Sequence, residues 1–353
     1  MRHEDFIKKA IDLNASDIHL APFSQAMLRV NGSLLCPEED ILSNDQVFEA
    51  VRELCNEEQF DKLSQCGEIS FSISMAEYGR FRVNIIKQRG SYSVSIRLLK
   101  MNVPQREMLN LPEALYDIVN QKRGLLIVSG AAGSGRSTTM ASLIQFLNEN
   151  QKLNIITVES PIEYLFKHNQ SIVVQRDVGI DCDTLYDGVK SIMRHDPDVV
   201  MISDISDDSV LEAALQIAES GKLVIGGFAS INAVTSVEAI VASANPDKVL
   251  SRKLKLASNL IGIFSQQLVP GIQDHQRILT YELLLSNSAI KSQISSGSYN
   301  EIRNTLTVSR KQGMMSMDLN LFERFQQGFI THETLYKFGQ DLEYIKRLEK
   351  NAT

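Results

Sequence analysis

Residues 130–139 read Gly-Ala-Ala-Gly-Ser-Gly-Arg-Ser-Thr-Thr, which matches the phosphate-binding pattern G-x-x-x-x-G-K-[ST] except that Arg136 stands in place of lysine. Few motifs constrain a fold so tightly, because this one requires a strand before it and a helix after it. Residues 124–129 (Gly-Leu-Leu-Ile-Val-Ser) read as a short buried strand. Residues 138–148 carry helical periodicity, with Met140, Leu143, Ile144 and Leu147 on one face. That context weighs against a chance glycine-rich turn. The expected product is a cradle at a helix N-terminus, built from Gly130, Gly133, Ser134, Gly135, Arg136, Ser137 and Thr138. The cradle depends on glycines and backbone N–H groups, so Arg136 does not abolish it. A guanidinium is planar and two-pronged where an ammonium is a compact point charge, so its charge is displaced from where it builds up in phosphoryl transfer. Ser137 keeps the hydroxyl expected to ligate the Mg2+ of a bound ATP.

The chain has 353 residues, enough for two domains and a sizeable core. A net charge of −7 gives no global basic footprint, so nucleic acid is not an expected partner. No apolar run approaches the ~20 residues of a membrane span, and the start, Met-Arg-His-Glu-Asp-Phe, lacks an apolar signal core. Cys36, Cys55, Cys66 and Cys182 show no metal-type spacing, which fits reduced thiols. The expectation is a cytoplasmic protein.

Residues 1–100 mix helices with short strands. A helix is expected over 6–13, and strands over 16–20 and 26–35 with Asn31-Gly32 as a hairpin turn. A single helix is expected over 44–63, then half-buried strands over 69–73, 80–87 and 92–98. Residues 101–112, with Pro104 and Pro112, read as a linker. From 113 to the end, apolar runs at 124–129, 154–158, 199–203 and 223–227 alternate with helical segments, the pattern of a parallel sheet with crossover helices. Helices are expected over 248–265, 289–295, 299–312, 316–327 and 331–349, with a strand at 276–285.

Several strings together resemble the hexameric secretion ATPases, and within them the type IV pilus retraction motors (PilT-like). They are Ser16-Asp17-Ile18-His19-Leu20, Gly79-Arg80-Phe81-Arg82-Val83-Asn84, Thr157 through Tyr164, Val174 through Gly179, and Arg194-His195-Asp196-Pro197-Asp198-Val199. The resemblance covers nearly the entire chain. It implies an α/β protein: a PAS-like α+β domain over 1–100, the linker 101–112, and a RecA-like P-loop ATPase domain over 113–353 that includes helical C-terminal elements. It also implies ATP and Mg2+ as ligands, a six-membered ring (homo-hexamer or mixed with a paralogous ATPase), and an inner-membrane pilus platform protein as partner. The protein would then sit at the inner face of the cytoplasmic membrane. Arg80, Arg82 and Arg97 match arginines that reach the nucleotide phosphates in that family; from the pattern alone they equally solvate the outer face of a sheet. No Cys-x-x-Cys pair is present, as in the retraction branch.

The resemblance also exposes departures. The acidic box keeps Glu159 and Glu163 but has Ser160 for aspartate. The strand expected to end in Gly-Glu ends in Ser203-Asp204, which keeps the charge of the catalytic base but withdraws it by on the order of 1 Å, an error that can cost ~10²-fold. Ser206-Asp207 replaces arginine-aspartate. Both histidine positions are gone, replaced within Gly221-Lys222-Leu223-Val224 and Gly227-Phe228-Ala229-Ser230. Losing one positioned donor costs ~10²–10³ in rate, and Arg136, Asp204 and Ala229 are altered together. The expectation is a retraction-ATPase-like protein that binds ATP with weak or lost hydrolysis. A fully active motor, a non-catalytic regulatory subunit and a motor for a related filament are the alternatives.

Overall fold

A computed structural model of the chain describes residues 3–13, 15–30, 33–37, 40–75, 78–99, 103–273 and 276–352. They divide into two units, Met1–Asn102 with Glu163–Leu165, and Val103–Ile162 with Phe166–Thr353. The expected Asn31-Gly32 turn and residues 101–102 of the expected linker lie outside the described residues.

In the first unit the chain order is α1 (His3–Asp12), β1 (Asp17–Leu20), β2 (Met27–Val30), β3 (Ser33–Leu35), α2 (Asn44–Leu54), α3 (Glu57–Cys66), β4 (Glu68–Met75), β5 (Gly79–Gln88) and β6 (Ser91–Leu98). The helix expected over 44–63 is therefore two helices. Cys55 is extended and ends α2, and Asn56 starts α3 with a capping box in which its side chain and that of Gln59 satisfy each other's backbone N–H groups. The strands form an antiparallel sheet, β3-β2-β1-β6-β5-β4 among the described residues. Alternation sends Ile18, Leu28, Phe81, Val83, Ile85, Val94 and Ile96 to one face, where they pack with Phe6, Ile7, Val47, Val51 and Leu63 of the helices. The other face carries one row of partners across four strands, Arg29, Asp17, Arg97 and Arg82.

The second unit begins with one helical turn, α4 (Arg106–Leu109), inside the expected linker, where the Arg106 guanidinium lies 4.0 Å from the Tyr116 ring centre. It continues through α5 (Glu113–Val119), β7 (Gly124–Ser129), α6 (Arg136–Asn150), β8 (Asn154–Glu159), β9 (Ile172–Asp177), α7 (Leu185–Ile192), β10 (Val199–Ile202), α8 (Asp208–Glu219), β11 (Leu223–Phe228), α9 (Ala233–Ala242) and α10 (Val249–Asn259). Then come β12 (Leu260–Pro270), β13 (Arg277–Leu285), α11 (Ser288–Ser296), α12 (Tyr299–Val308), α13 (Met317–Gln326), α14 (His332–Phe338) and α15 (Leu342–Ala352). Two expectations are corrected here. The helix expected over 248–265 stops at Asn259, and Leu260–Pro270 is a strand. The helix expected over 331–349 is α14 and α15.

The sheet runs β13-β12-β7-β11-β10-β8-β9, parallel throughout except that β13 is antiparallel to β12. Its inner strands are covered on both faces, so they are continuously apolar rather than alternating. Leu126, Val128, Met201 and Ile225 pack on Met140, Leu143 and Ile144 of α6. Leu125, Ile127, Val200, Ile202 and Val224 pack on the side of α7, α8 and α9. A smaller core of Val269, Met317, Leu321, Phe322, Leu335 and Ile345 joins the C-terminal helices to the end of β12.

Candidate nucleotide site

The parallel strands end together on one edge of the second unit's sheet, the edge at which open α/β sheets bind ligands. β7 delivers Ser129 there, and Gly130 turns the chain with φ +157. A Cβ at Gly130 would lie 2.3 Å from Ser134 Oγ and 2.6 Å from the Gln266 carbonyl oxygen, so no larger residue fits. Gly133 and Gly135 have φ of +78 and +93, and Gly135 is the N-cap of α6 with no side-chain cap bond. The N-terminus of a 15-residue helix thus opens on the loop, a place where backbone N–H groups and the helix dipole both favour an anion.

Two side chains repeat that demand. Ser134 is 5% exposed and its hydroxyl has no hydrogen-bond partner among the described residues. Arg136 occupies the first position of α6, half-buried, and its Nη1 is buried without a partner among them. A buried donor left unpaired costs about 1–3 kcal/mol, and a cation at a helix N-terminus is opposed by the dipole. Phosphate oxygens relieve both, so these residues fit a nucleotide polyphosphate. Ser137 and Thr138 follow in the first turn, and Ser137 is the side chain that would share a Mg2+ with the phosphates and water.

Of the expected acidic residues, Glu159 ends β8 at 5% exposure; its Oε1 accepts from Thr157 Oγ1 at 2.7 Å and from Gln175 Nε2 at 3.1 Å. Asp204, half-buried just past β10, accepts the Ser206 N–H at 2.7 Å. Both stand on the same sheet edge as the loop, because β10 and β8 follow β11 beyond β7. Glu163 is exposed and belongs to the segment grouped with the first unit. Ala229 follows β11 and offers only its backbone N–H, 3.5 Å from Ser206 Oγ. Lys222 precedes β11, at the opposite end of the strand from the loop, where its Nζ meets Asp196 Oδ1 at 3.2 Å.

Arg80, Arg82 and Arg97, the arginines of the first unit expected at the phosphates, differ in their commitments. Arg97 Nε donates to Asp17 Oδ1 at 2.8 Å, and Arg82 Nε to Ser70 Oγ at 3.1 Å. Burial by itself pushes the Asp17 carboxyl up, but the Arg97 and Ser16 hydrogen bonds and the Arg97 charge outweigh it and hold the group below its ordinary value. Arg80 is half-buried, two residues before Arg82 on β5. One contributor was invisible to the motif. Gln266, one residue past the helix expected over 248–265 and in the middle of β12, touches the loop through its side chain.

The model of the family described as Type II/IV secretion system protein matches residues 3–320. The chain is 33% identical over 333 residues to the type IV pilus ATPase PilU of Pseudomonas aeruginosa, an alignment covering 94% of this chain and 87% of that protein. It is 30% identical to the uncharacterized protein YggR of Escherichia coli, over 93% and 99% of the two chains. A crystal structure of the pilus retraction motor PilT with bound ADP superposes with a TM-score of 0.92 at 33% identity, covering 98% of this chain and 99% of that one.

Proposed function

Because this chain belongs to the type II/IV secretion system protein family, and is similar to pilus retraction ATPases over nearly its full length, we propose that it binds ATP with Mg2+ and acts in type IV pilus disassembly and twitching motility, with hydrolysis weak or lost. The observation that carries nucleotide binding is the pair of buried donors, Ser134 Oγ and Arg136 Nη1, that have no partner among the described residues and lie beside the N-terminus of α6, where no side chain caps the helix. Weak turnover is supported by three side chains. Arg136 places a fork where a point charge is expected, Asp204 falls short of a glutamate, and Ala229 has nothing to donate. Glu159 and Glu163 are the remaining acidic candidates for orienting water. In this reading residues 1–100 are PAS-like, 101–112 a linker and 113–353 RecA-like, with Arg80, Arg82 and Arg97 as phosphate sensors. The protein works as a homo-hexamer or in a mixed ring with a paralogous ATPase, docked from the cytoplasm on a pilus platform protein. Among the described residues no helix is long and apolar enough to cross a membrane, which suits peripheral attachment.

Fluorescent-nucleotide titration and steady-state phosphate release of the purified protein test both halves. Binding with turnover at least ~10²-fold below an active relative is expected. Absence of binding refutes the cradle, and brisk turnover refutes the weakened motor.

A further inference from the structure

β12 runs beside β7, and two of its consecutive residues, Ser265 and Gln266, are polar yet 0% and 3% exposed. Burying a carboxamide is costly unless both of its ends find partners. Gln266 finds them in the phosphate loop. Its Nε2 donates to the Ser134 carbonyl at 2.6 Å, and its Oε1 accepts from the Thr139 hydroxyl at 2.7 Å. A carbonyl oxygen only accepts, so the Ser134 contact fixes which end of the amide faces the loop. Thr139 is itself 3% exposed in the first turns of α6. The backbone beside it adds a second contact, because the Gln266 carbonyl lies 2.6 Å from where a Cβ on Gly130 would stand. One residue earlier, Ser265 Oγ and Ser129 Oγ are 2.6 Å apart, pinning β12 to the end of β7. One residue of β12 thus meets the loop at its start, its middle and the helix that follows.

We propose that Gln266 is the positioning residue of the phosphate cradle: its amide bridges Ser134 and Thr139 and holds the loop against α6 in the form that receives phosphate. Each end of its amide already has a protein partner, so the role assigned to it is to hold the loop rather than the ligand. What it supplies is preorganisation, since a loop ordered only on binding weakens affinity by the fraction of time it is competent. The proposal rests on the nucleotide reading given above and adds a residue that the motif does not contain.

The test uses the full chain with Gln266→Leu, Gln266→Glu and Thr139→Val. Two readouts are needed: affinity for a fluorescent ATP analogue with Mg2+ between pH 5.5 and 8.5, and amide hydrogen exchange of residues 131–139 without nucleotide. Gln266→Leu is expected to weaken binding by about tenfold or more, because it leaves the Ser134 carbonyl and Thr139 hydroxyl unpaired, and to speed exchange in the loop. Thr139→Val, which keeps Gln266 and its volume, moves both readouts in the same direction by less. Gln266→Glu gives the sharper signature. As a carboxylate it has no donor for Ser134 and sets a negative charge beside the cradle; as a carboxylic acid it regains the donor. Its affinity relative to the unmodified chain is therefore expected to recover as pH falls, which a packing role alone does not produce. Binding by Gln266→Leu within twofold of the unmodified chain overturns the proposal, as does a pH-independent ratio for Gln266→Glu. If the unmodified chain binds no nucleotide, the cradle reading fails separately, and exchange then decides: an unchanged loop in Gln266→Leu overturns the clamp, and a faster one upholds it.

Discussion

A cation at the first position of a helix works against the dipole unless an anion shares its site. Arg136 stands there with a buried Nη1 that has no partner among the described residues, so Arg136→Gln is expected to raise the melting temperature of the nucleotide-free protein slightly, by about 0.3–1 kcal/mol of stability. The same change is expected to shrink the further rise that ATP produces, which scales with ligand concentration over Kd. Thermal melts with and without Mg-ATP measure both, and a variant that melts lower alone but responds fully to ATP contradicts this account of the site. Arg97 makes the opposite case. Its partner Asp17 is 6% exposed and held below its ordinary pKa, and Ser16 Oγ still donates to Asp17 Oδ2 when Arg97 is removed. Because Arg97 itself is 61% exposed, Arg97→Ala is expected to cost no more than about 1 kcal/mol at neutral pH. Because a depressed carboxylate contributes its stability above its unfolded pKa and loses it as pH falls, the gap between the two proteins closes in acid; denaturation midpoints at pH 7 and pH 3 check it. Residues of the loop were legible in the sequence because the motif ties glycines to backbone geometry over ten consecutive positions. Gln266 was not, since it reaches Ser134 from 132 positions away through strand pairing.

Elements were legible where periodicity and termination signals agreed, and were misread where a run of apolar residues left the period undecided. Leu260, Ile261, Ile263 and Phe264 follow α10 with no proline or glycine before Leu260, and the single Gly262 among them does not by itself end a helix, so helix and buried strand look alike in sequence; pairing with β7 and β13 on both sides decides for the strand. The break at Cys55–Asn56 had a local signal, the capping box, and Asn56→Ala is expected to cost about 1 kcal/mol by urea denaturation, with no change if the box is idle. A less local element effect comes from Glu282 of β13. Its carboxyl accepts the backbone N–H of Ala233 and of Met317, the first residues of α9 and α13, so one buried acid meets two helix N-termini. Burial nevertheless pushes its pKa above the ordinary 4.5. A raised carboxyl pKa means the folded state holds its proton longer, so the stability it contributes is complete below 4.5 and declines as pH rises through the folded value. Asp318, also buried, is raised too and adds to the trend. Melting temperatures of Glu282→Gln and the unmodified protein, compared from pH 5 to 9, are expected to move in the variant's favour as pH rises; a difference that stays constant removes Glu282 from the linkage.

At the scale of the molecule, the groups that depart from the family pattern are dispersed in sequence but gathered on one sheet edge: Arg136 after β7, Asp204 after β10 and Ala229 after β11. The fold that gathers them is intact, with buried β strands, a loop that only glycine can turn and a covered α6. Under the proposed function, binding outlasts turnover, because the cradle is made of backbone while hydrolysis needs particular side chains. It also sets what repair must look like. Groups that act on one transition state lose their effects together, so restoring any one of them recovers little. Arg136→Lys, Asp204→Glu and Ala229→His singly are expected to raise phosphate release by less than about tenfold each, and the triple variant by ~10² or more, the size of one well-placed donor regained. Steady-state phosphate release on the unmodified, single and triple proteins at saturating Mg-ATP is the measurement. A triple variant as slow as the unmodified protein means that the loss lies outside these three positions. A single variant that alone reaches the rate of an active relative means that the other two substitutions are tolerated in a working motor.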